Sequence, residues 1–447
     1  MIKRRDFLKL FGITAGSVVL TSCGGSGGNA GTPAVPIPNA YSFSRLVNSG
    51  DALPGGGAAD FFRKAVMINE QGEIVFNAVD SADALGYYRL LMDFSGSKPK
   101  ISSSRKMVRV GDILPNSLGV VNIHNADIND AGTFAAILAT SDNFSGIYLE
   151  RQGQVLQPAV RSNDSTPELE ASFGSLFLDV DIHDGDNLLF VSHYAYKTKG
   201  VVGQGLFHLP GGELGAKGDL LLSTGEDIPE AAGIVSGLGL LDMHDNGNFV
   251  LQAFGHGSDN VAAMANGGAP QGTMLISGNV REPLSRTLKA SSPSIRAATS
   301  AAARPGFSYG EMNYGPRTGA GGRIASVHQI GQNDLVLISD GEQIASTRGV
   351  SPLGNVITGL GGPVIGEDQI LYYQTYNDLA PGVGSELVAF NGREYRTILS
   401  TGDMIEGRKI SRIWFGLMTE QVDSRGRIVL AADFEDGSSS IVVGIPV

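Results

Sequence analysis

Two short stretches gather the oxygen donors that could do metal chemistry in this chain. They are Asp127-Ile128-Asn129-Asp130 and Asp181-Ile182-His183-Asp184-Gly185-Asp186. Calcium prefers such ligands, but its loops need six or more oxygens in a set order with a bidentate acid near the end. Neither stretch has that order, and Asp and Asn also hydrogen-bond their own backbone in turns. Structural turns are the reading, with no metal site and no cofactor assigned. His183 and His244 hold equivalent places in a repeat described below, which argues for a turn role over joint zinc ligation. Gly24-Gly25-Ser26-Gly27-Gly28 matches the G-x-S-x-G nucleophile pattern. That motif requires a strand before it and a helix after it, and a glycine-rich linker supplies neither. No catalytic residue is assigned.

The elements that carry these residues follow from an internal repeat. An aliphatic residue, then Asn, Asp or His, two residues, Gly and an alternating strand recur roughly every 60 residues. The clearest copies centre on Asn69 with Gly72, Asn129 with Gly132, His244 with Gly247, and Asp423 with Gly426. Degraded copies fall at His183, Asn313 and Gly366. A second signal, Gly-Asp followed by proline, alternates with the first, as at Gly50-Asp51 and Gly111-Asp112. Asn and Gly tolerate the positive φ that a tight hairpin demands. Each unit reads as four strands, and seven such units predict an all-β chain: a single seven-bladed β-propeller of four-stranded blades. The last unit supplies three strands. The strand Tyr41–Val47 therefore completes the seventh blade and leaves no terminal edge unpaired.

This repeat resembles the bacterial choice-of-anchor tandem repeats, defined by Asn-x-x-Gly-x-x-Ala-Phe strings. Asn69-Glu70-Gln71-Gly72-Glu73-Ile74-Val75-Phe76 and Asn129-Asp130-Ala131-Gly132-Thr133-Phe134 carry the resemblance best, and it covers residues 41–447. Members of that family differ in how they are anchored, and the resemblance brings no biochemical function and no catalytic residue with it.

Composition fits this picture. Glycine supplies 62 of 447 residues, about twice the usual share. The formal charge of -12 repels phosphate backbones and excludes nucleic acid as a general partner. The single cysteine, Cys23, rules out an intramolecular disulfide. Residues 1–22 read as an export signal: Arg4-Arg5-Asp6-Phe7-Leu8-Lys9 resembles a twin-arginine motif ahead of a short apolar run. Leu20-Thr21-Ser22-Cys23 resembles a lipobox, which implies acylation of Cys23 and a membrane anchor. Gly24 after the cysteine favours the outer membrane. Residues 23–40 form a Gly/Ser/Pro tether.

Loops are the natural place for binding. The links between second and third strands share a face with the inter-blade links. That face gathers Tyr194, Tyr196, His256, Tyr373 and Tyr376, with Arg296 and Arg304 in a basic stretch. Aromatic and amide groups there could stack on a sugar or a peptide. The expectation is a monomeric, lipid-anchored binding or scaffold module for a polysaccharide or an envelope protein. The alternative is a glycoside hydrolase or lyase with two carboxylates across the central funnel.

Overall fold

The computed structural model describes residues 35–447 except 97, 167–168, 197–201, 213–218, 229–232, 245, 258–271, 282–288, 292–314, 320, 331–333, 368, 378–383 and 417–419. Among the described residues the strands form seven antiparallel sheets arranged as the blades of a propeller. Blade one runs Ala59–Ile68, Glu73–Asp80, Leu85–Asp93 and Lys100–Arg109, paired in that order. Blade two runs Val120–Ile128, Phe134–Thr140, Ser145–Glu150 and Gln157–Arg161. Blade seven is closed as the sequence predicts. Tyr41–Asn48 pairs antiparallel with Ser439–Pro446, in register from Tyr41 opposite Pro446 to Asn48 opposite Ser440. The two ends of the propeller therefore share one sheet, and the Ser439–Pro446 edge is covered.

Apolar side chains pack between neighbouring blades. One core cluster joins Met67, Val75 and Tyr87 of blade one to Ile123, Ala136 and Tyr148 of blade two. Another joins Ala135 and Ile147 of blade two to Val180 and Phe190 of blade three. A third joins Val66, Phe76 and Tyr88 to Val429, Ala431 and Val443 across the closure. Both faces of blades one and two are thus apolar, and the second strand Glu73–Asp80 is buried along its whole length. Each large side chain so buried contributes about 1.5–3 kcal/mol.

The repeat turn follows the first strand of each blade. Its residue at the fourth position has positive φ in every blade: Gly72, Gly132, Asp186, Gly247, Gly322, Gln369 and Gly426. The turn residue itself does not, so the reason for asparagine differs from the expected one. Asn69 Oδ1 accepts the N–H of Glu73 at 2.9 Å, and Asn129 Oδ1 accepts that of Thr133 at 2.8 Å. The amide nitrogens reach the next blade: Asn69 Nδ2 donates to Asn129 O and Asn129 Nδ2 to His183 O, each at 3.1 Å. Asparagine is selected because one side chain both closes its own turn and ties it to the neighbour. Asp423 lacks the donor; its Oδ1 closes the turn on Arg427 N–H at 2.9 Å, while its other oxygen takes the Arg427 guanidinium.

One predicted turn moves. Asn313 lies outside the described residues, and the turn of blade five is at Gly319, where Gly319 N–H donates to Arg323 O and Gly322 N–H to Gly319 O. It pairs the short strand Arg317–Thr318 with Ile324–Ile330. Arg4 and Arg5 of the export signal and the lipidation residue Cys23 also lie outside the described residues.

Candidate functional site at the axial mouth

The first strands line the propeller axis, and their side chains bind one blade to the next. Asp127 Oδ2 accepts the N–H of Ile182 at 2.9 Å, Asp179 Oδ2 that of Leu241 at 2.9 Å, and Asp242 Oδ2 that of Thr318 at 2.5 Å. Asp127, Asp181, Asp242 and Arg317 stand two residues before the turn residue in blades two to five, so equivalent positions place them side by side. All four are buried. Arg317 Nη1 lies 3.8 Å from Asp242. Burial pushes Asp179 and Asp242 up to about 6. Asp181 is held well above the carboxylate range, first by burial and then by Asp127, Asp179 and Asp242. Burial raises Asp127 as well, against the hydrogen bond it accepts from Ile182 N–H.

Above this layer, the residue that follows the turn residue faces the axis in blades one, two, three, six and seven. In that order they are Glu70, Asp130, Asp184, Glu367 and Ser424. With His244, Asn246 and Arg281 of blade four they wall a basin of about 420 Å³. The walls are partly clipped together. Glu70 N–H donates to Asp130 Oδ1 at 2.8 Å, and Ser424 N–H donates to Glu70 Oε1 at 2.5 Å. His244 Nε2 meets Glu367 Oε1 at 2.5 Å, bridging blades four and six. Asn246 N–H donates to His244 Nδ1 at 3.1 Å, which leaves the ring proton on Nε2 for Glu367. Burial disfavours a charged His244 ring, yet Glu367, with Asp242 and the Asn246 side chain, outweighs it and raises the pKa. Asp184 is raised by burial and then by Asp130. Four carboxylates, one guanidinium and one imidazole thus face a single concavity, able to accept hydrogen bonds from several directions at once.

The face expected to bind from sequence is built differently. Tyr194 is 2% exposed and packs edge-to-face on Tyr196 and Phe207, with centroids 5.4 and 6.3 Å away. Tyr373 is buried in the blade-five and blade-six core, and Tyr376 OH reaches Gln374 Oε1 at 3.4 Å. Their second strands, Asn187–Tyr196 and Leu371–Tyr376, extend through what reads as loop, so these rings pack inside blades. Tyr196 is half-buried at a strand end. His256 lies on the strand Asn248–Gly257, and its side chain, like Arg296 and Arg304, is outside the described residues. His183 and His244 have separate settings: His183 stacks on His208 at 6.4 Å, while burial lowers its pKa to about 4.

A family model described as a family of unknown function, DUF7453, matches residues 21–268, more than half the chain. The chain belongs to the DUF7453 family. The match to DUF7453 takes in blades one to three and blade four as far as the strand Asn248–Gly257. No curated protein matches. Among solved structures, this DUF7453 chain is similar to the β-propeller domain of the Trilobed protease from Pyrococcus furiosus. Identity is 9% and the TM-score 0.43, over 92% of this chain and 94% of that one. It is also similar to AofleA from Arthrobotrys oligospora, at 9% identity and a TM-score of 0.35 over 79% and 94% of the two chains. A third is Trypanosoma rangeli sialidase in complex with sialic acid, at 10% identity and 0.38 over 93% and 60%. At such identity and overlap these likenesses carry no functional argument.

Proposed function

We propose that this protein is a ligand-binding propeller of the bacterial cell envelope, held to a membrane through acylated Cys23, with its binding site at the axial basin. The observation that carries the reading is the convergence of Glu70, Asp130, Asp184, His244, Arg281 and Glu367, from five blades, on one cavity of about 420 Å³. Turns from separate repeats supply the groups, so the scaffold fixes them before a ligand arrives, and little ordering cost remains at binding. Polar walls with several acceptors suit a polyhydroxylated or otherwise donor-rich ligand, such as a saccharide unit of an envelope polysaccharide.

The test is a thermal-shift screen of the full-length protein in detergent against cell-wall and capsular saccharides. A ligand that binds only the folded state raises the melting temperature. A shift abolished by Asp184→Asn supports the basin, and a shift unchanged by Asp184→Asn and Glu367→Gln places the ligand elsewhere. Radiolabelled palmitate incorporated into wild type but not Cys23→Ser tests the anchor.

A hydrolase is the second reading, favoured by carboxylates that face one another around the basin. Glycan turnover lost in Asp184→Asn or Glu367→Gln, with binding retained, would decide for it.

A further inference from the structure

Acidic groups occupy two tiers of the axis. The upper tier is Glu70, Asp130, Asp184 and Glu367, set against Arg281 and His244. The lower tier is Asp127, Asp179, Asp181 and Asp242, each no more than 5% exposed, with Arg317 as the cation among them. Asp181 interacts with all of these groups, yet its Oδ2 has no hydrogen-bond partner. A buried carboxyl without a donor is costly. Protons reduce that cost in the lower tier, and the remaining negative charge of both tiers adds along one axis between low-dielectric walls, which focus the field. The basin therefore favours a positively charged group.

Spacing narrows the class. Among the described residues, no three acidic or histidine side chains are grouped so as to hold a metal ion. The upper acids are instead distributed around a cavity of about 420 Å³. A bare divalent ion needs many oxygens at about 2.3–2.6 Å. An ammonium group carries three donors that separate acceptors can take one by one, and neighbouring hydroxyls can bridge the others.

We propose that the basin takes a ligand bearing a primary ammonium beside hydroxyl groups, the chemistry of an amino sugar, with the ammonium among Asp130, Asp184 and Glu367. This rests on the basin being the binding site. A free amino sugar and one unit of a polymer share this chemistry, and monomer and oligomer probes separate them.

The experiment is isothermal titration of the full-length protein in detergent with glucosamine, a deacetylated glucosamine oligomer, N-acetylglucosamine, glucose and calcium chloride. Glucosamine should bind at least about tenfold more tightly than the acetylated or neutral sugar, and more weakly as salt rises. Asp184→Asn should weaken it about tenfold. Asp60→Asn, exposed at the start of the first strand of blade one on the opposite face, should change it less than about twofold. Tighter binding of the oligomer assigns a polymer, and equal binding per unit assigns the free sugar. Equal affinity for glucosamine and N-acetylglucosamine, still lost in Asp184→Asn, overturns the ammonium assignment and leaves the basin standing. Calcium binding that depends on Asp184 without any amine binding overturns it as well. Amine binding insensitive to both Asp184→Asn and Glu367→Gln, or no binding of any probe, overturns the assignment together with the basin.

Discussion

Replacing Asn129 by aspartate changes one NH2 group into one oxygen, and the ring of turns gives that change a calculable cost. Asn129 Oδ1 would still accept the N–H of Thr133. The lost donor serves His183 O at 3.1 Å and Asp186 Oδ1 at 3.3 Å. Losing the first bond costs about 1 kcal/mol, and leaving a buried carbonyl facing an acceptor costs about 1–3 kcal/mol more. A carboxylate beside Asp186 adds repulsion, so Asn129→Asp should destabilise by about 3 kcal/mol at pH 7.5. Protonation restores a donor, so the folded-state pKa of the new acid lies above its unfolded value. Relative stability is then recovered below the unfolded value near 4 and lost as pH rises through the folded one. Urea midpoints at pH 7.5 and 4.5 read this directly, because ionisations common to both proteins cancel. The penalty should shrink to about 2 kcal/mol at the lower pH. Asn129→Ala, which also loses the Thr133 acceptor, should show no such recovery. A penalty below about 0.5 kcal/mol at pH 7.5, or one independent of pH, would refute the blade-tying role.

Other perturbations follow from the same contacts. Arg89 is 3% exposed, lies 3.3 Å from both Glu73 and Glu150, and donates to Gly132 O at 2.7 Å. Arg89→Met leaves buried Glu73 without its cation, while Glu150 keeps Arg105 at 2.8 Å, and should cost about 3–5 kcal/mol in urea unfolding. Gly132 has φ 79°, and a Cβ there would meet Glu73 Oε2 at 2.5 Å; Gly132→Ala should lower the urea midpoint, while the exposed Gly153→Ala, strained but unobstructed, should lower it less. Asp179 is raised to about 6 by burial, so its contribution is complete below an unfolded value near 4 and falls as pH rises through about 6. Asp179→Asn should therefore remove up to about 2 kcal/mol of that decline between pH 4.5 and 7.5. His183, lowered to about 4, runs the opposite way, so the comparison must be between variant and wild type. Deleting residues 1–48 uncovers the Ser439–Pro446 edge, and size-exclusion chromatography should show self-association.

Most of the propeller was legible because turns repeat. Positive φ at the fourth turn position leaves glycine in five blades, and that glycine is what the eye finds. Asp186 and Gln369 fill the position in blades three and six, which is why those copies look degraded. In blade five the turn residue is Gly319, so a search for asparagine settles on Asn313; Gly322 was the better marker. The basin was missed although its signal is present. The residue after the turn is acidic in five of seven repeats, at Glu70, Asp130, Asp184, Asp245 and Glu367, and turns that follow first strands must meet at the axis. The tyrosines misled because an aromatic at a strand end reads the same whether it tops a loop or closes a core. Side-chain burial against Phe207 or within blades five and six depends on blade-to-blade packing, which no local pattern carries.

The most direct test of the basin is carboxyl footprinting by carbodiimide and glycine ethyl ester, read by mass spectrometry, with the saccharide that gives the largest thermal shift. Protection should concentrate at Glu70, Asp130, Asp184 and Glu367 and leave Asp60 and Asp83 on the opposite face unchanged. Protection of the opposite-face acids with the four basin carboxyls unaltered would contradict the account.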